Sequence, residues 1–335
     1  MPKNKIDFVI TWVDGGDAAW QREKCKYVAA FSSDDTDERY RDWDNLKYWF
    51  RGVEKFAPWV RKIHFITWGH LPQWLEITHP KLNIVRHEDY IPKEYLPTFN
   101  SHTIEWNMHR IQGLAEQFVY FNDDIFLTGE MKPEDFFRDG KPCDMLAFQP
   151  VIANPENPVM SHIYMNNSLV LSKYFKKREN VRKQPRAYFK IGYPFLYFGY
   201  NLLELMFPQY TGFYTVHGAS PFLKETYRTL WKKETMVLDQ TCRHRFRNQS
   251  DVSQYLAREW QKLSGNFHPQ NITKYFRYFN LKSDNSLLVD TIVKRKARII
   301  CANDANKPID FLRARQQIIE AFEKILPEKS EFEKS

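Results

Sequence analysis

Phe118-Val-Tyr-Phe-Asn-Asp-Asp-Ile-Phe-Leu127 is the stretch on which the reading of this chain turns. Four apolar residues lead into Asn122-Asp123-Asp124, and apolar residues resume at once. Two adjacent carboxylates inside a would-be core strand are costly to bury unless they are paired or bound to a cation. In an α/β protein the carboxyl end of a strand is where ligands bind, so the triplet reads as a metal–phosphate centre. The same three residues also suit a turn between two strands, and the segment alone does not separate the two readings.

Working outward, residues 6–13 form a β-branched run that carries Asp7 and closes on Asp14-Gly15-Gly16, a strand followed by a turn. Asp17 can cap a helix over 18–30, and 31–44 reads as a polar loop. A helix over 43–56 stops before Pro58, because the residue before a proline resists the helical region. Residues 63–68, 82–86 and 118–121 read as further strands. Ser101 can cap a helix whose apolar face is Ile104, Met108 and Ile111. Strands alternating with helices imply an α/β fold with a mostly parallel sheet flanked by helices.

The second half is less regular: helices are expected over 167–175, 201–207, 221–231, 252–263 and 308–325, and strands over 275–281 and 298–301. With no repeat and no low-complexity linker, residues 1–326 read as one catalytic domain carrying a helical basic and aromatic insertion at about 155–210. Residues 327–335 read as a charged, disordered tail.

The net charge of +8 over 335 residues points to anionic partners. Nucleic acid is not expected, because the basic residues are local and no nucleic-acid motif accompanies them. Cys25, Cys143, Cys242 and Cys301 lie far apart and read as reduced thiols. No signal-peptide layout or membrane-spanning run is present, so a cytoplasmic enzyme is expected.

Several segments carry candidate chemistry. In Thr11-Trp12-Val13-Asp14-Gly15 a flat Trp could stack on a base while the turn approaches a phosphate; a buried Trp before an ordinary turn is the plain alternative. Asn100 and Ser101 place small polar groups at a helix N-terminus. Glu105 and His109 fall four apart on the face opposite the apolar stripe, where a surface pair is the usual outcome. His102, Glu105 and His109 do not have a standard zinc spacing. His217, in His217-Gly218-Ala219-Ser220-Pro221, is placed before an expected helix where it could act on a phosphate or hydroxyl. Arg247, following Arg243 and Arg245, could clamp a phosphate; a structural histidine and a solvated basic face are the plain readings. Asn303-Asp304 repeats the Asn-Asp strand end, and two such ends could supply Asp124 and Asp304 to one hard cation, Mg²⁺ or alternatively Mn²⁺.

Taken in order, these blocks resemble the Stealth family of sugar-phosphate transferases, which includes bacterial capsular polysaccharide phosphotransferases and the N-acetylglucosamine-1-phosphotransferase of animals. The matching blocks are IDFVITWVDGGD, DNLKYWFRGVEKFAPWVRKIHFITWGHLPQWL, LPTFNSHTIEWNMHRIQGLAEQFVYFNDDIFL, HGASPFLKETYRTL with FRNQSD, and CANDAN. The resemblance implies a nucleotide-sugar-transferase-like core of the GT-A, Rossmann-like kind, a UDP-sugar donor and a glycan acceptor, free or lipid-linked. Sugar-1-phosphate would pass to an acceptor hydroxyl and UMP would leave. Carried over by position, it implies catalytic roles for Glu105, Asp124, His217 and Arg247, with Asp304 as the late metal-site aspartate. Donor contacts would come from the block around Thr11, Trp12 and Asp14 and from Asn100 and Ser101. Here the histidine block reads HGAS rather than a more hydrophobic HxPx form. A metal-dependent glycosyltransferase releasing UDP is the alternative, since Asn-Asp-Asp after a strand also resembles its DxD element.

Residues 173–190 carry eight Lys/Arg and one Glu, and 191–207 read IGYPFLYFGYNLLELMF. A basic run beside an aromatic, apolar one suits peripheral contact with an anionic membrane at the inner face of the plasma membrane. A solvated loop followed by a core helix is the plain alternative.

Overall fold

The computed structural model describes residues 5–28, 42–304 and 310–334. Most of the polar loop expected at 31–44 lies outside the described residues, as does the start of the helix expected at 308. The strands are β1 (Ile6–Thr11), β2 (Ile63–Thr67), β3 (Leu82–Arg86), β4 (Gln117–Phe121), β5 (Ile125–Leu127), β6 (Phe137–Arg138), β7 (Lys141–Asp144), β8 (Ser220–Leu223), β9 (His268–Pro269), β10 (Phe276–Asn280) and β11 (Ile299–Asn303). The main sheet runs β3-β2-β1-β4-β8. Its first four strands are parallel, and β8 lies antiparallel to β4. The expected mostly parallel α/β sheet is therefore present.

β1 and β2, IDFVIT and IHFIT, are almost wholly buried, as strands covered on both faces must be. Successive side chains go to opposite faces. Phe8, Ile10, Phe65 and Phe121 join one core with the Leu46–Phe56 helix. Val9, Ile66, Phe118 and Tyr120 join the other, with Trp106, Tyr227 and Leu256.

The chain leaves the main sheet at the end of β4, and β5 at once enters a second sheet, β10-β11-β5. Asn122-Asp123-Asp124 is the crossing. It is tightened by Ile125 N–H donating to the Asn122 carbonyl at 3.1 Å. β5 runs antiparallel to β11 with Ile125 opposite Cys301, and Ala302 N–H donates to the Asp124 carbonyl at 2.8 Å. Asn303-Asp304, at the end of β11, is thereby brought beside the acidic triplet. The triplet is both a turn and a wall of the cavity described below.

Three expectations need correction. Residues 221–231 do not begin as a helix: Ser220–Leu223 is an edge strand, and the helix starts at Lys224. Pro221 lacks an N–H, which an edge strand tolerates, so a proline read as a helix start serves equally as an edge-strand residue. The insertion's helices also fall earlier, at Pro158–Tyr174 and Phe195–Glu204, the first capped by Asn157 with Pro158 as its first residue.

The third correction is the tail. The described residues beyond Pro327 are anchored rather than loose, with Phe332 3% exposed and its ring 5.2 Å from that of Phe50. Glu333 takes the Arg51 guanidinium bidentately at 2.8 and 2.9 Å, and Lys334 N–H donates to the Trp74 carbonyl at 2.8 Å. A charge-rich segment hid one apolar anchor and one buried ion pair. Glu333→Ala removes the bidentate partner of the buried Arg51 and leaves it Glu323 at 3.5 Å and the Leu326 carbonyl at 2.8 Å, so it is expected to cost about 2–3 kcal/mol of stability. An unchanged denaturant midpoint would show that the tail contributes nothing.

Candidate active site

A cavity of about 570 Å³ opens where β1 and β4 end, the side of an α/β sheet that receives ligands. Thr11 and Trp12 line it from β1, Asp123 and Asp124 from the crossing, and Ser101 and Glu105 from the Ser101–Asn107 helix. His217, Arg247 and Asp304 complete the wall from three loops.

His217 is held on both sides. Its Nε2 lies 3.1 Å from Asp124 Oδ2 and its Nδ1 lies 2.9 Å from the Tyr255 hydroxyl. Cys301 Sγ–H donates to the same Asp124 oxygen at 3.2 Å. Burial disfavours both charges of the His217–Asp124 pair, yet their mutual attraction outweighs it. The Asp124 carboxyl is held below, and the His217 imidazole above, their ordinary values. Burial, then Asp124, pushes the Cys301 thiol well up. Asp123 opens into the cavity but is ringed by protein; desolvation and then the neighbouring Asp124 push it up to about 7.

Glu105 sits at the end of a chain of hydroxyls. Thr11 Oγ1 and the Tyr120 hydroxyl are 3.1 Å apart, and Tyr120 O–H donates to Glu105 Oε1 at 3.3 Å. Glu105 is 5% exposed, and its Oε2 makes no hydrogen bond of good geometry. Burial raises its pKa; the charges of His102 and Arg247 offset only part of this, and the Gln254 amide adds little. The exposed Glu105–His109 pair expected from helical spacing does not form. The helix ends at Asn107 and tightens into a 3₁₀ turn over Met108–Arg110. His109 turns away to lie over Tyr227, where burial lowers its pKa to about 3. His102 faces Asp251 at 3.2 Å, so His102, Glu105 and His109 do not converge on an ion.

Arg247 donates from Nε and Nη2 to Ser101 Oγ at 3.1 and 2.8 Å, so the first residue of the helix aims the guanidinium. Asn100 was expected to touch the donor, but it is fully buried and does not line the cavity. Its Oδ1 caps the helix through His102 N–H, and its Nδ2 reaches Asp251 at 2.9 Å. Asp14 also lies outside the cavity wall. Its carboxylate closes the turn onto Gly16 N–H, and its own N–H donates to His70 Nε2 at 2.8 Å. Trp12 does line the cavity, with Phe65 stacked 5.8 Å away and the edge of His70 at 5.2 Å.

Tyr255, Cys301 and Asp251 were not singled out from the sequence. Asp251 and Cys301 fall inside the short blocks FRNQSD and CANDAN, whereas nothing local marked Tyr255.

The cavity's donor set suits a hard cation only through its carboxylates. Asp124, His217 and Cys301 present ligand atoms within 4.8 Å of one another. A buried, protonated thiol and an imidazole engaged at both nitrogens are poor partners for Mg²⁺, which prefers oxygen ligands. The carboxylates fit better: Asp124 Oδ1 is buried without a hydrogen-bond partner, and Asp304 lines the same cavity.

Comparisons with known proteins bear on this geometry. Residues 4–32 match Stealth protein conserved region 1, and 39–144 match conserved region 2. The chain is 41% identical over 336 residues to a capsular polysaccharide phosphotransferase, WcwK, of Streptococcus pneumoniae, covering 99% of both chains. It is 38% identical to the receptor polysaccharide phosphotransferase WefC of Streptococcus oralis, over 98% of this chain and 99% of that one. Among solved structures, the galactosyltransferase LgtC with donor and acceptor sugar analogues overlaps 95% of this chain and 96% of its own at a TM-score of 0.43 and 11% identity. Near-full-length identity to these relatives, together with both conserved regions, means that the chain belongs to the Stealth family.

Proposed function

We propose that this cavity transfers a sugar-1-phosphate from a UDP-sugar to a hydroxyl of a glycan acceptor, building a phosphodiester-containing bacterial capsular or cell-surface polysaccharide. The acceptor oxygen forms a bond to the phosphorus that carries the sugar. The bond from that phosphorus to the bridging oxygen breaks, and UMP leaves with the electron pair. The observation that carries the reading is the convergence of Asp124, His217, Arg247 and Glu105 on one cavity, in a chain so close to polysaccharide phosphotransferases.

Phosphoryl transfer needs positioning and charge stabilisation more than covalent chemistry from the protein. Arg247, aimed by Ser101, is placed to offset charge on the transferring phosphoryl group. Asp124 and Asp304 would hold Mg²⁺ or Mn²⁺, which supplies further neutralisation of the diphosphate when bound. Thr11 and Trp12 form the donor side of the cavity. Both ring nitrogens of His217 are already engaged, by Asp124 and Tyr255, so its part is to orient Asp124 and to favour negative charge nearby rather than to carry the acceptor's proton. Glu105, with Oε2 uncommitted, is placed to accept the proton from the acceptor hydroxyl. The acceptor is lipid-linked, and the enzyme works at the inner face of the plasma membrane.

Incubating the full chain with a panel of UDP-sugars, Mg²⁺ and isolated acceptor should yield UMP by mass spectrometry. UDP as the product would instead establish a glycosyltransferase. The pH profile follows from Glu105. A base with a raised pKa loses activity as pH falls through that raised value, so the acid limb of kcat/KM should lie above the ordinary carboxylate range. Glu105→Gln should remove that limb and lower kcat by about 10²–10⁴-fold. An acid limb that survives in the variant would move the base elsewhere.

A further inference from the structure

The helix Phe195–Glu204 is turned inside out relative to a helix on a water-facing surface, which buries its apolar stripe and exposes its polar one. Here the polar residues are inside. Asn201 is fully buried; it accepts from Phe148 N–H at 2.7 Å and donates to the Tyr188 carbonyl at 2.6 Å. Glu204, three residues on and so on the same face, is 2% exposed and takes Lys177 Nζ at 2.7 Å. The apolar residues face outward, with Ile191 99%, Phe195 88%, Leu202 58% and Met206 78% exposed. Of eighteen exposed large hydrophobics among the described residues, nine lie within 191–207. An apolar concentration of this kind marks an interaction surface rather than scattered exposure.

Charge chooses the occupant. Immediately before the apolar face, Lys176 is exposed at the start of the short helix Lys177–Lys183, Arg178, Arg182 and Lys183 are exposed on it, and Arg186 is exposed on Pro185–Tyr188. The buried Lys177–Glu204 pair clamps the basic helices to the apolar one. We infer that this patch is a membrane-docking surface: the outward face of Phe195–Glu204 enters the headgroup–acyl boundary of an anionic bilayer while the basic residues bind lipid phosphates. A second copy would bring the same positive charge to the interface. No described helix is long and apolar enough to cross a membrane, so contact is peripheral. The helix leading into the basic run, Pro158–Tyr174, has Met160 and Tyr164 in the cavity wall, so one continuous segment joins the catalytic cavity to the bilayer surface. The lipid-linked acceptor rests on the proposed phosphotransferase reading, whereas the docking surface does not.

The test is flotation of the full chain with vesicles of phosphatidylcholine alone or with about a third phosphatidylglycerol. Binding to the anionic vesicles is expected, weakening as salt rises. Each exposed cation near such a surface contributes about a fivefold gain in partitioning, so Lys176→Glu/Arg182→Glu/Lys183→Glu should weaken binding by at least about a hundredfold. Lys177 is left intact because it is buried against Glu204. Phe195→Ser/Met206→Ser should weaken binding to both vesicle types. Neither variant touches a cavity residue, so UMP release in solution should be unchanged. Equal vesicle binding by wild type and both variants overturns the proposal. So does a vesicle-indifferent dimer that Phe195→Ser/Met206→Ser converts to monomer, since a second copy would then cover the patch. Vesicle binding without UMP release from any donor would leave the surface standing and remove the assigned reaction instead.

Discussion

Asp124→Asn is expected to lower turnover about a thousandfold while lowering the melting temperature only modestly, through loss of the attraction to His217. Removing one charge-stabilising group from a preorganised site costs about 10²–10³-fold, and Asp124 serves two such roles. Its Oδ2 fixes His217 from below and its Oδ1 is the uncommitted oxygen available to the cation. Asparagine keeps the shape and one acceptor but loses the charge that favours the protonated form of His217. It also loses one anionic ligand. The effect should fall on kcat, because Trp12, Ser101 and Arg247 remain to bind the donor. Turnover unchanged at saturating Mg²⁺ would sink the assignment of Asp124 to the reacting centre.

How much of this was legible in sequence differs between fold and site. β1, β2 and β4 were readable because strands buried on both faces are short, continuous apolar runs, whereas the partly buried edge strand β3 was marked by its β-branched pair and by the Asp and Pro that follow it. β8 was not, because Ser220-Pro221-Phe222-Leu223 is too short to show a period and its proline suits two kinds of position. At the site, the pairing of two Asn-Asp strand ends was visible as a repeated local pattern, and β5 against β11 realises it.

Contacts made across the chain were not legible. His217 meets Asp124 from 93 residues away, and Arg247 meets Ser101 from 146. His109 was misplaced because extrapolated helical spacing assumes a helix that continues, and this one stops at Asn107. Asn100 shows a further limit. A polar residue at a helix N-terminus can serve a ligand or serve the helix, and only its burial against Asp251 decides.

Asp251→Ala should have the largest effect on stability of any single change near the site, and should disable catalysis without touching substrate. Asp251 is fully buried yet ionised. It faces His102 at 3.2 Å and His244 at 2.6 Å, and accepts from Asn100 Nδ2 at 2.9 Å and Asn248 N–H at 3.0 Å. Those partners bind the Ser101–Asn107 helix to the loop that carries Arg247. Alanine leaves them buried without their acceptor, a loss of about 3–5 kcal/mol. Burial opposes the charge, but hydrogen bonds from the two histidines outweigh it and lower the carboxyl to about 2. A carboxyl depressed in the folded state stabilises it above the unfolded value near 4, and that stability is lost as pH falls towards 2. The amount is about 2–3 kcal/mol. The variant's stability should therefore converge on that of wild type as pH falls from about 4 to about 2. A purely structural role would lower the amount of folded enzyme and leave the kinetics of the folded fraction intact. A positioning role, exerted through Arg247, instead lowers kcat of the folded fraction and leaves KM for the acceptor near its wild-type value. Asp251→Asn, which retains one acceptor oxygen for Asn100 and Asn248, should recover part of both losses. Full kcat in folded Asp251→Ala would show that Arg247 is held in place by Ser101 alone.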